Sequence, residues 1–193
     1  MPEDIEAGRH GKHHHILRRY WEIVNLYPRI TDPELARRIE EFTMKASPEQ
    51  LFRMQRAVIS HGTEFMVKDP RWSRLLEHMD GKRVGMSVGD EYHTTVTLND
   101  GRFDVTMGKQ ERGVPVLHVA SRKDYVDALL RRKDLVRMLV TRKLGATHKL
   151  TLIRWGITIF EDFLADDSLF EDLLAHQSRA QELIAESMGD MDF

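Results

Sequence analysis

The chain has 193 residues, of which 29 are Lys or Arg, 31 are Asp or Glu and none is Cys. This length can bury one sizeable core, and the near-neutral charge does not favour a nucleic-acid-binding protein. The lack of cysteine excludes disulfides, thiolate catalysis and cysteine-bound metals. No apolar run approaches the ~20 residues that span a bilayer, and the start lacks the apolar segment of a signal peptide, so we expect a soluble, cytoplasmic protein.

The first residues, up to about Lys12, are polar and precede three adjacent histidines, His13 to His15. Neighbouring side chains on a helix point about 100° apart, so three consecutive histidines do not converge on one ion without help. We interpret them as solvated residues at the entry to the first helix, and we predict neither a metal site nor a cofactor.

Helices are predicted before the first strand because apolar residues recur at helical spacing between clear start and stop signals. The predicted helices cover residues 16–27, 32–45, 47–67 and 69–81. Asp32-Pro33 and Asp69-Pro70 each place a capping residue before a proline, which is favoured at the first helical position. Ser47 and Gln50 have the spacing of a capping box.

Period-two spacing of apolar residues begins only after this helical extension, and it predicts a hairpin. Residues 92–98 alternate between two faces, and residues 103–107 do the same after Asp100-Gly101. An Asp-Gly pair between two alternating runs is a strong hairpin signal, because Gly takes the positive φ that the tight turn needs. Residues 83–88 and 115–120 are short, valine-rich predicted strands on either side of this hairpin.

Two helices and a fifth strand are predicted next. Ser121 has the character of an N-cap, and apolar residues then repeat at helical spacing as far as Val140. We expect Gly145 to end the second of these helices. The alternation of Leu150 and Leu152 with Thr151 predicts the fifth strand.

Charge is unevenly distributed in the second half of the chain. Residues 121–149 contain nine Lys or Arg and three Asp, whereas residues 161–193 contain ten Asp or Glu and one Arg. The two segments could neutralise each other within the fold, pair across a homodimer, or face different partners such as an anionic membrane surface or acyl-CoA. Nucleic acid is not expected, because the basic segment is not interleaved with aromatic residues.

The C-terminal region is apolar over residues 155–163 and then has a capping box at Ser168 and Glu171. An amphipathic helix with an acidic outer face is predicted from there to Gly189, and we interpret it as a packing or dimer helix. The predicted fold class is α+β, with a five-stranded, mainly antiparallel sheet covered by helices. The predicted parts are a helical extension (1–80), an α+β domain (81–165) and a C-terminal amphipathic helix (166–193).

This order of elements, with these residues, resembles the sterol carrier protein 2 family of lipid-carrier domains. The matching pieces are HTTVTLNDGRFDVTMG, VPVLHVASRKDYVDALLRRKD and LVTRKLGATHKLTL. Family members usually follow the closing strand with a glycine-rich turn, whereas here residues 152–155 precede Gly156. The resemblance implies an apolar tunnel that takes sterols, fatty acids, acyl-CoA or phospholipids, although some family members serve only as accessory or dimerising modules.

The resulting hypothesis is non-enzymatic binding or transfer of a long apolar ligand in a tunnel between sheet and helices. The expected wall residues are Phe103, Val105, Met107, Leu117, Val119, Leu139, Leu150, Leu152 and Trp155. Arg131 or Arg142 is expected near the mouth, where either guanidinium would meet an anionic head group.

Two alternatives stay open at this point. The same wall residues would equally fill the solid core of a structural or dimerisation module. A metal-dependent or histidine-based enzyme is the other alternative, with His93 and His118 in candidate strands. No Gly-x-Ser-x-Gly, His-Glu-x-x-His or Gly-x-x-x-x-Gly-Lys motif occurs, and we predict no catalytic residues.

Overall fold

The computed structural model describes residues 30–133, 135–165, 168, 171–172, 179, 181–186 and 188. Numbered in chain order, its elements are α1 (Pro33–Lys45), α2 (Pro48–Lys68), α3 (Ser73–Met79), β1 (Arg83–Val88), β2 (Tyr92–Asn99), β3 (Arg102–Met107), β4 (Val116–Val119), α4 (Arg122–Leu129), α5 (Leu135–Val140), β5 (Leu144–Ala146) and α6 (Lys149–Ala165). A short 3-10 helix, Pro70–Trp72, leads into α3. The predicted α+β class is confirmed. The predicted helix 16–27 and His13 to His15 lie outside the described residues, as does most of the predicted C-terminal helix.

Side-chain caps set the starts of the helices where the sequence predicts them. The Asp32 carboxylate accepts the Glu34 backbone N–H at 2.9 Å, and Pro33 occupies the first helical position. Ser47 and Gln50 form the predicted capping box, in which each side chain accepts the backbone N–H of the other residue. These bonds satisfy amide groups that have no partner within the helix.

The sheet has the order β3-β2-β1-β4-β5 and is mainly antiparallel. Only the pairing of β1 with β4 is parallel. The predicted hairpin is confirmed as β2 and β3, with Asn99 opposite Arg102. Both turn residues have positive φ, 49° at Asp100 and 72° at Gly101, as a two-residue type I′ turn requires.

The predicted position of the fifth strand is wrong. Leu150 and Leu152 lie in helix α6, and β5 is formed earlier by Leu144–Ala146. The preceding helix ends at Val140 instead of Gly145, and the chain turns at Arg142, which has φ 58°. Three alternating residues are too short a pattern to distinguish a strand from a helical turn. The available edge of β4 decided the pairing instead.

Helices α1 and α2 bury their apolar side chains against one end of the sheet. Phe42 and Leu51 lie in the same core cluster as Val88, Tyr92 and Val119 of β1, β2 and β4. That cluster also contains Tyr125 and Ala128 of α4, Met138 of α5, and Ile184 and Met188 of the C-terminal region. The N-terminal helices therefore share a core with the sheet, while the boundaries proposed after residues 80 and 165 stay predictions.

Helix α2 lies alongside β3, the strand at one edge of the sheet. The hydroxyl of Thr63 accepts the Phe103 backbone N–H at 3.3 Å and donates to the Ile59 carbonyl oxygen at 3.0 Å. Closer to the start of the helix, Gln55 Oε1 accepts a hydrogen bond from the Tyr92 hydroxyl. Helix α2 thus covers an edge that would otherwise present unpaired backbone groups.

Several charges of the basic segment find partners within the fold. Arg132 lies 2.7 Å from Glu40 of α1, and Arg122 lies 2.9 Å from Glu91. In the acidic C-terminal region, Asp172 forms an ion pair with Arg71. In each of these pairs one partner lies outside both charged segments, so mutual neutralisation of the two segments stays a prediction.

Candidate functional site: the apolar face of the sheet

One face of the sheet is apolar apart from two hydroxyl-bearing side chains. Successive residues of a strand point to opposite faces, and the strand registers align this alternation across the sheet. The apolar face carries Val84, Met86, Val88, Tyr92, Thr94, Val96, Leu98, Phe103, Val105, Met107, Leu117, Val119, Leu144 and Ala146. An apolar ligand that lies along the sheet would have to lie here.

The opposite face is polar apart from the buried Val116, which pairs with Gly85. It carries Arg83, Ser87, His93, Thr95, Thr97, Arg102, Asp104, Thr106 and His118. Ser87 Oγ lies 2.6 Å from His118 Nδ1, and His93 Nε2 lies 3.3 Å from the Asp90 carbonyl oxygen. Arg83 forms a 2.8 Å ion pair with Glu111, and hydrogen bonds from this guanidinium lower the pKa of the Glu111 carboxyl.

The connection between β3 and β4 covers the polar face at Gly85. Gln110 lies over this glycine and donates from Nε2 to the carbonyl oxygens of Met86 and Thr94, at 2.9 and 2.8 Å. A Cβ atom on Gly85 would lie 2.4 Å from Gln110 Cγ, so a larger residue would displace the glutamine. The polar face is therefore occupied by the protein's own loop at this point.

Burial is uneven along the apolar face. Val88, Tyr92 and Val119, at the end of the sheet where β1 ends, are buried in the core with α1 and α2. A contiguous group in the middle of the face is only half-buried: Val84, Met86, Val96, Leu117 and Ala146. We call this group the central patch. It is one part of the apolar face that the helices leave partly uncovered, as they also leave Phe103, Leu144 and Met107, and its Met86 packs against the core cluster.

Helix α6 lies at the other end of the apolar face, where β1 begins. The Lys82 ammonium group, just before β1, is 5.9 Å from the centre of the Trp155 ring, within the range of a cation–π contact. Helix α6 also packs against α3. The central patch thus lies between the filled core at one end of the sheet and α6 at the other.

Thr94 is a polar residue in this apolar setting. Its side chain is fully buried between Met86 of β1 and Met107 of β3, to which it is paired. Within the described part of the chain, Thr94 Oγ1 has no hydrogen-bond partner. A buried hydroxyl without a partner costs about 1–3 kcal/mol, because its bonds to water are not replaced.

The structure brings five of the predicted wall residues together on one face. Phe103, Val105 and Met107 of β3 share the apolar face with Leu117 and Val119 of β4. Their burial differs, since Val105 and Val119 are buried, Phe103 and Leu117 are half-buried, and Met107 is 42% exposed. The ligand-binding role of these residues stays a prediction.

The remaining predicted wall residues lie on helices and do not share one environment. Leu152 and Trp155 are on the half-buried side of α6. Leu150 lies on the outer side of the same helix with 83% of its surface exposed, and Leu139 of α5 is 46% exposed. Leu150 and Leu152 were predicted to share one strand face, but on a helix they are separated by about 200°.

The two predicted head-group arginines lie in turns. Arg131 follows α4 and is half-buried, whereas Arg142 follows α5 and is exposed. Both have positive φ, 49° and 58°, and so each marks a point where its helix ends. Their contact with a head group stays a prediction.

Most of the central patch was not predicted from the sequence. Leu117 was among the predicted wall residues, but Val84, Met86, Val96 and Ala146 were not. The alternation in β1, which places Val84, Met86 and Val88 on one side, was the available signal for two of them. Ala146 carried no such signal, because β5 has only three residues.

Among the described residues, no three His, Asp or Glu side chains are grouped closely enough to hold a metal ion. In the same part of the chain, no helix has both the length and the apolar character that crossing a bilayer requires.

Comparisons with known proteins give matches among solved structures. No family model and no curated protein matches the chain. A solved structure described as a UbiJ-SCP2 ubiquinone synthesis protein is similar over 64% of this chain and 91% of its own, with 13% sequence identity and a TM-score of 0.37. A similarity this distant does not establish the family of the chain.

Proposed function

We propose that this protein binds a long apolar ligand, such as a fatty acid, acyl-CoA, phospholipid or sterol, against the apolar face of its sheet. The observation that supports the proposal is the central patch, a contiguous group of half-buried aliphatic side chains between the core and α6. The proposed role is carriage without chemical conversion. The bound ligand would bury the side chains of the central patch that the helices leave half-buried.

The free energy of such binding needs no polar anchor. Burial of about ten methylene groups at about 0.8 kcal/mol each contributes about 8 kcal/mol, which corresponds to micromolar affinity before ordering costs. The exposed guanidinium of Arg142 is proposed to pair with the head group of an anionic ligand. Removing that charge would then weaken binding of a fatty acid more than binding of a sterol.

A bulky substitution in the central patch tests the proposal. In Ala146→Phe the new ring would occupy the surface proposed for the ligand, and phenylalanine is favourable in a strand. We expect the delipidated variant to bind a fluorescent fatty acid at least about tenfold more weakly than the original protein, a loss of about 1.4 kcal/mol. Fluorescence titration at micromolar concentration measures this directly.

Ala57→Phe is the matched control, because Ala57 is exposed on α2 and the same side chain is added there. Its affinity should equal that of the original protein. If the delipidated original protein binds no fatty acid and no sterol at micromolar concentration, the proposal is wrong. Equal loss in both variants would point to a general effect on folding, which a urea denaturation curve of each would show.

A structural or dimerisation module is the second candidate function. The full burial of Thr94 and the 4% exposure of Val105 favour it, since these parts of the apolar face are packed solidly. Native mass spectrometry followed by organic extraction separates the two candidates. A co-purified lipid supports carriage, whereas a ligand-free dimer that survives dilution supports the module.

A further inference from the structure

The outer side of α6 is an exposed apolar stripe. Leu150, Ile153 and Ile157 are 83%, 57% and 53% exposed, although each is a large aliphatic side chain. At about 100° per residue, they fall within an arc of about 60° on the helix surface. This stripe faces away from the half-buried side that carries Leu152 and Trp155, so it is separate from the proposed ligand site.

Cations flank the stripe on both sides. Lys149 lies about 40° to one side of Ile153, and Arg154 lies about 40° to the other side of Leu150, and both are exposed. Long basic side chains at the borders of an apolar stripe can reach up to an anionic layer while their stems cover apolar surface. This is the arrangement of a helix that lies in a membrane interface.

The segment of the chain that contains this stripe is positively charged, like the residues that flank the stripe. Residues 135–160 contain five Lys or Arg and no Asp or Glu. The end of α5 adds Val140, which is 78% exposed, and the exposed Arg142. The next acidic residue in the chain is Glu161, which is exposed one turn beyond Ile157.

We propose that the outer side of α6, formed by Lys149, Leu150, Ile153, Arg154 and Ile157, docks on an anionic membrane surface. The aliphatic side chains enter the interfacial region, and the flanking cations contact anionic head groups. The docking surface is distinct from the apolar face of the sheet, and its existence does not depend on a bound ligand.

Charge complementarity favours an anionic membrane, and not a second copy of the chain, as the partner of this surface. Two copies that met through this surface in a symmetric dimer would bring like charges together, because such an interface places the same patch on both subunits. An anionic bilayer instead offers opposite charge to both Lys149 and Arg154. Binding should therefore weaken as salt screens the attraction.

Vesicle flotation of the full chain tests the proposal. We expect binding to phosphatidylcholine vesicles that contain phosphatidylserine and little binding to vesicles of phosphatidylcholine alone. Ile157→Ser should weaken binding several-fold, and Lys149→Gln and Arg154→Gln should each weaken it about fivefold at low salt. All three residues are exposed, so the variants should keep the stability of the original protein.

Val67→Ser is the matched control for the apolar substitution. Val67 is also 53% exposed, but it lies on α2 beside Gly101 in the β2–β3 turn. Vesicle binding by this variant should be unchanged. If the original protein does not bind phosphatidylserine vesicles, or if Ile157→Ser and Val67→Ser lose binding equally, the proposal is overturned.

Two further measurements distinguish membrane docking from ligand binding and from dimerisation. Binding of a monomeric fluorescent fatty acid in solution should be the same for Ile157→Ser and the original protein, so a failed vesicle experiment leaves the ligand proposal intact. Analytical ultracentrifugation reports the oligomeric state. If Ile157→Ser dissociates a dimer while vesicle binding is unchanged, this surface is an interface between copies and the membrane proposal is wrong.

Discussion

Two buried threonine hydroxyls illustrate how the stability of this protein depends on single polar atoms. Thr94 Oγ1 lies on the apolar face of the sheet with no partner among the described residues. Thr63 Oγ1 instead makes two hydrogen bonds, one from the Phe103 N–H and one to the Ile59 carbonyl oxygen. The same substitution should therefore have opposite effects at the two positions.

Thr94→Val should raise the free energy of unfolding by about 1 kcal/mol, because a methyl group of similar size replaces the unpartnered hydroxyl. Thr63→Val should lower it by about 1 kcal/mol, because the Phe103 N–H then loses its acceptor. Urea denaturation of ligand-free protein measures both changes. A loss of stability in Thr94→Val would mean that the hydroxyl has a favourable partner in solution.

At the scale of elements, a cluster of charges fixes the start of α4. Asp124 is buried, accepts a hydrogen bond from Ser121 Oγ at 2.8 Å and lies 3.1 Å from the ammonium group of Lys143, just before β5. Burial alone would raise the pKa of the Asp124 carboxyl, but the hydrogen bonds from Ser121 and Lys143 outweigh it and the pKa is lowered. The cluster thus joins α4 to the strand that sequence analysis misplaced.

Asp124→Asn should lower the free energy of unfolding by about 1 kcal/mol at neutral pH. The loss is modest because solvent screens Lys143, whose side chain is 42% exposed. A carboxyl whose pKa is lowered by folding stabilises the protein above its ordinary pKa of about 3.9, and this contribution is lost as pH falls through the folded value. The variant and the original protein should therefore converge in acid. Denaturation curves at neutral and acid pH measure the difference.

Asp104→Asn serves as the control for that comparison, since Asp104 is exposed on β3. Its stability should follow that of the original protein at every pH. A constant difference between Asp124→Asn and the original protein, from neutral to strongly acid pH, would show that the carboxylate charge is not the stabilising feature.

At the scale of the whole molecule, Arg122 joins the N-terminal helices to the sheet region. From the first turn of α4 its Nη1 donates to the carbonyl oxygens of Thr43 and Ala46, at 3.3 and 2.6 Å, at the end of α1. Its Nε donates to Glu91 at 2.9 Å. A cation at a helix C-terminus satisfies carbonyls that have no partner in the helix and interacts favourably with the helix dipole.

Arg122→Ala should lower the free energy of unfolding by about 2 kcal/mol, because it removes several charge-assisted hydrogen bonds. Arg122→Lys should recover part of this loss, since it keeps the charge but not the forked geometry. Because helices and sheet share one core, we expect a single unfolding transition in each variant. Circular dichroism during urea denaturation measures this transition. Arg112→Ala, at an exposed position, should change little, and an equal loss there would contradict the assigned role of Arg122.

Most of the fold could be predicted from the sequence because its signals are local. Ser47 and Gln50 lie three residues apart, and Asp100-Gly101 stands between two long alternating runs, so the capping box and the hairpin needed no distant partner. The fifth strand could not be predicted in the same way. Leu144–Ala146 became a strand only because the edge of β4 was free to pair with it.

The candidate site was predictable only in part, for a related reason. Alternation identified Phe103, Val105 and Met107 as one face, but it could not show which members the helices would cover. Leu150 illustrates the limit, since its apolar character predicted a wall and the structure places it on the exposed side of α6.

The sequence by itself determined the α+β class, the helix starts and the hairpin, because caps, turns and periodicity act over a few residues. Only the tertiary structure decided which strand closes the sheet, which part of the apolar face stays half-buried and which side of α6 faces solvent. Each of these depends on contacts between residues far apart in the chain, such as Leu117 with Ala146. Burial is a property of the packed molecule, and local spacing specifies only which side chains are able to be buried together.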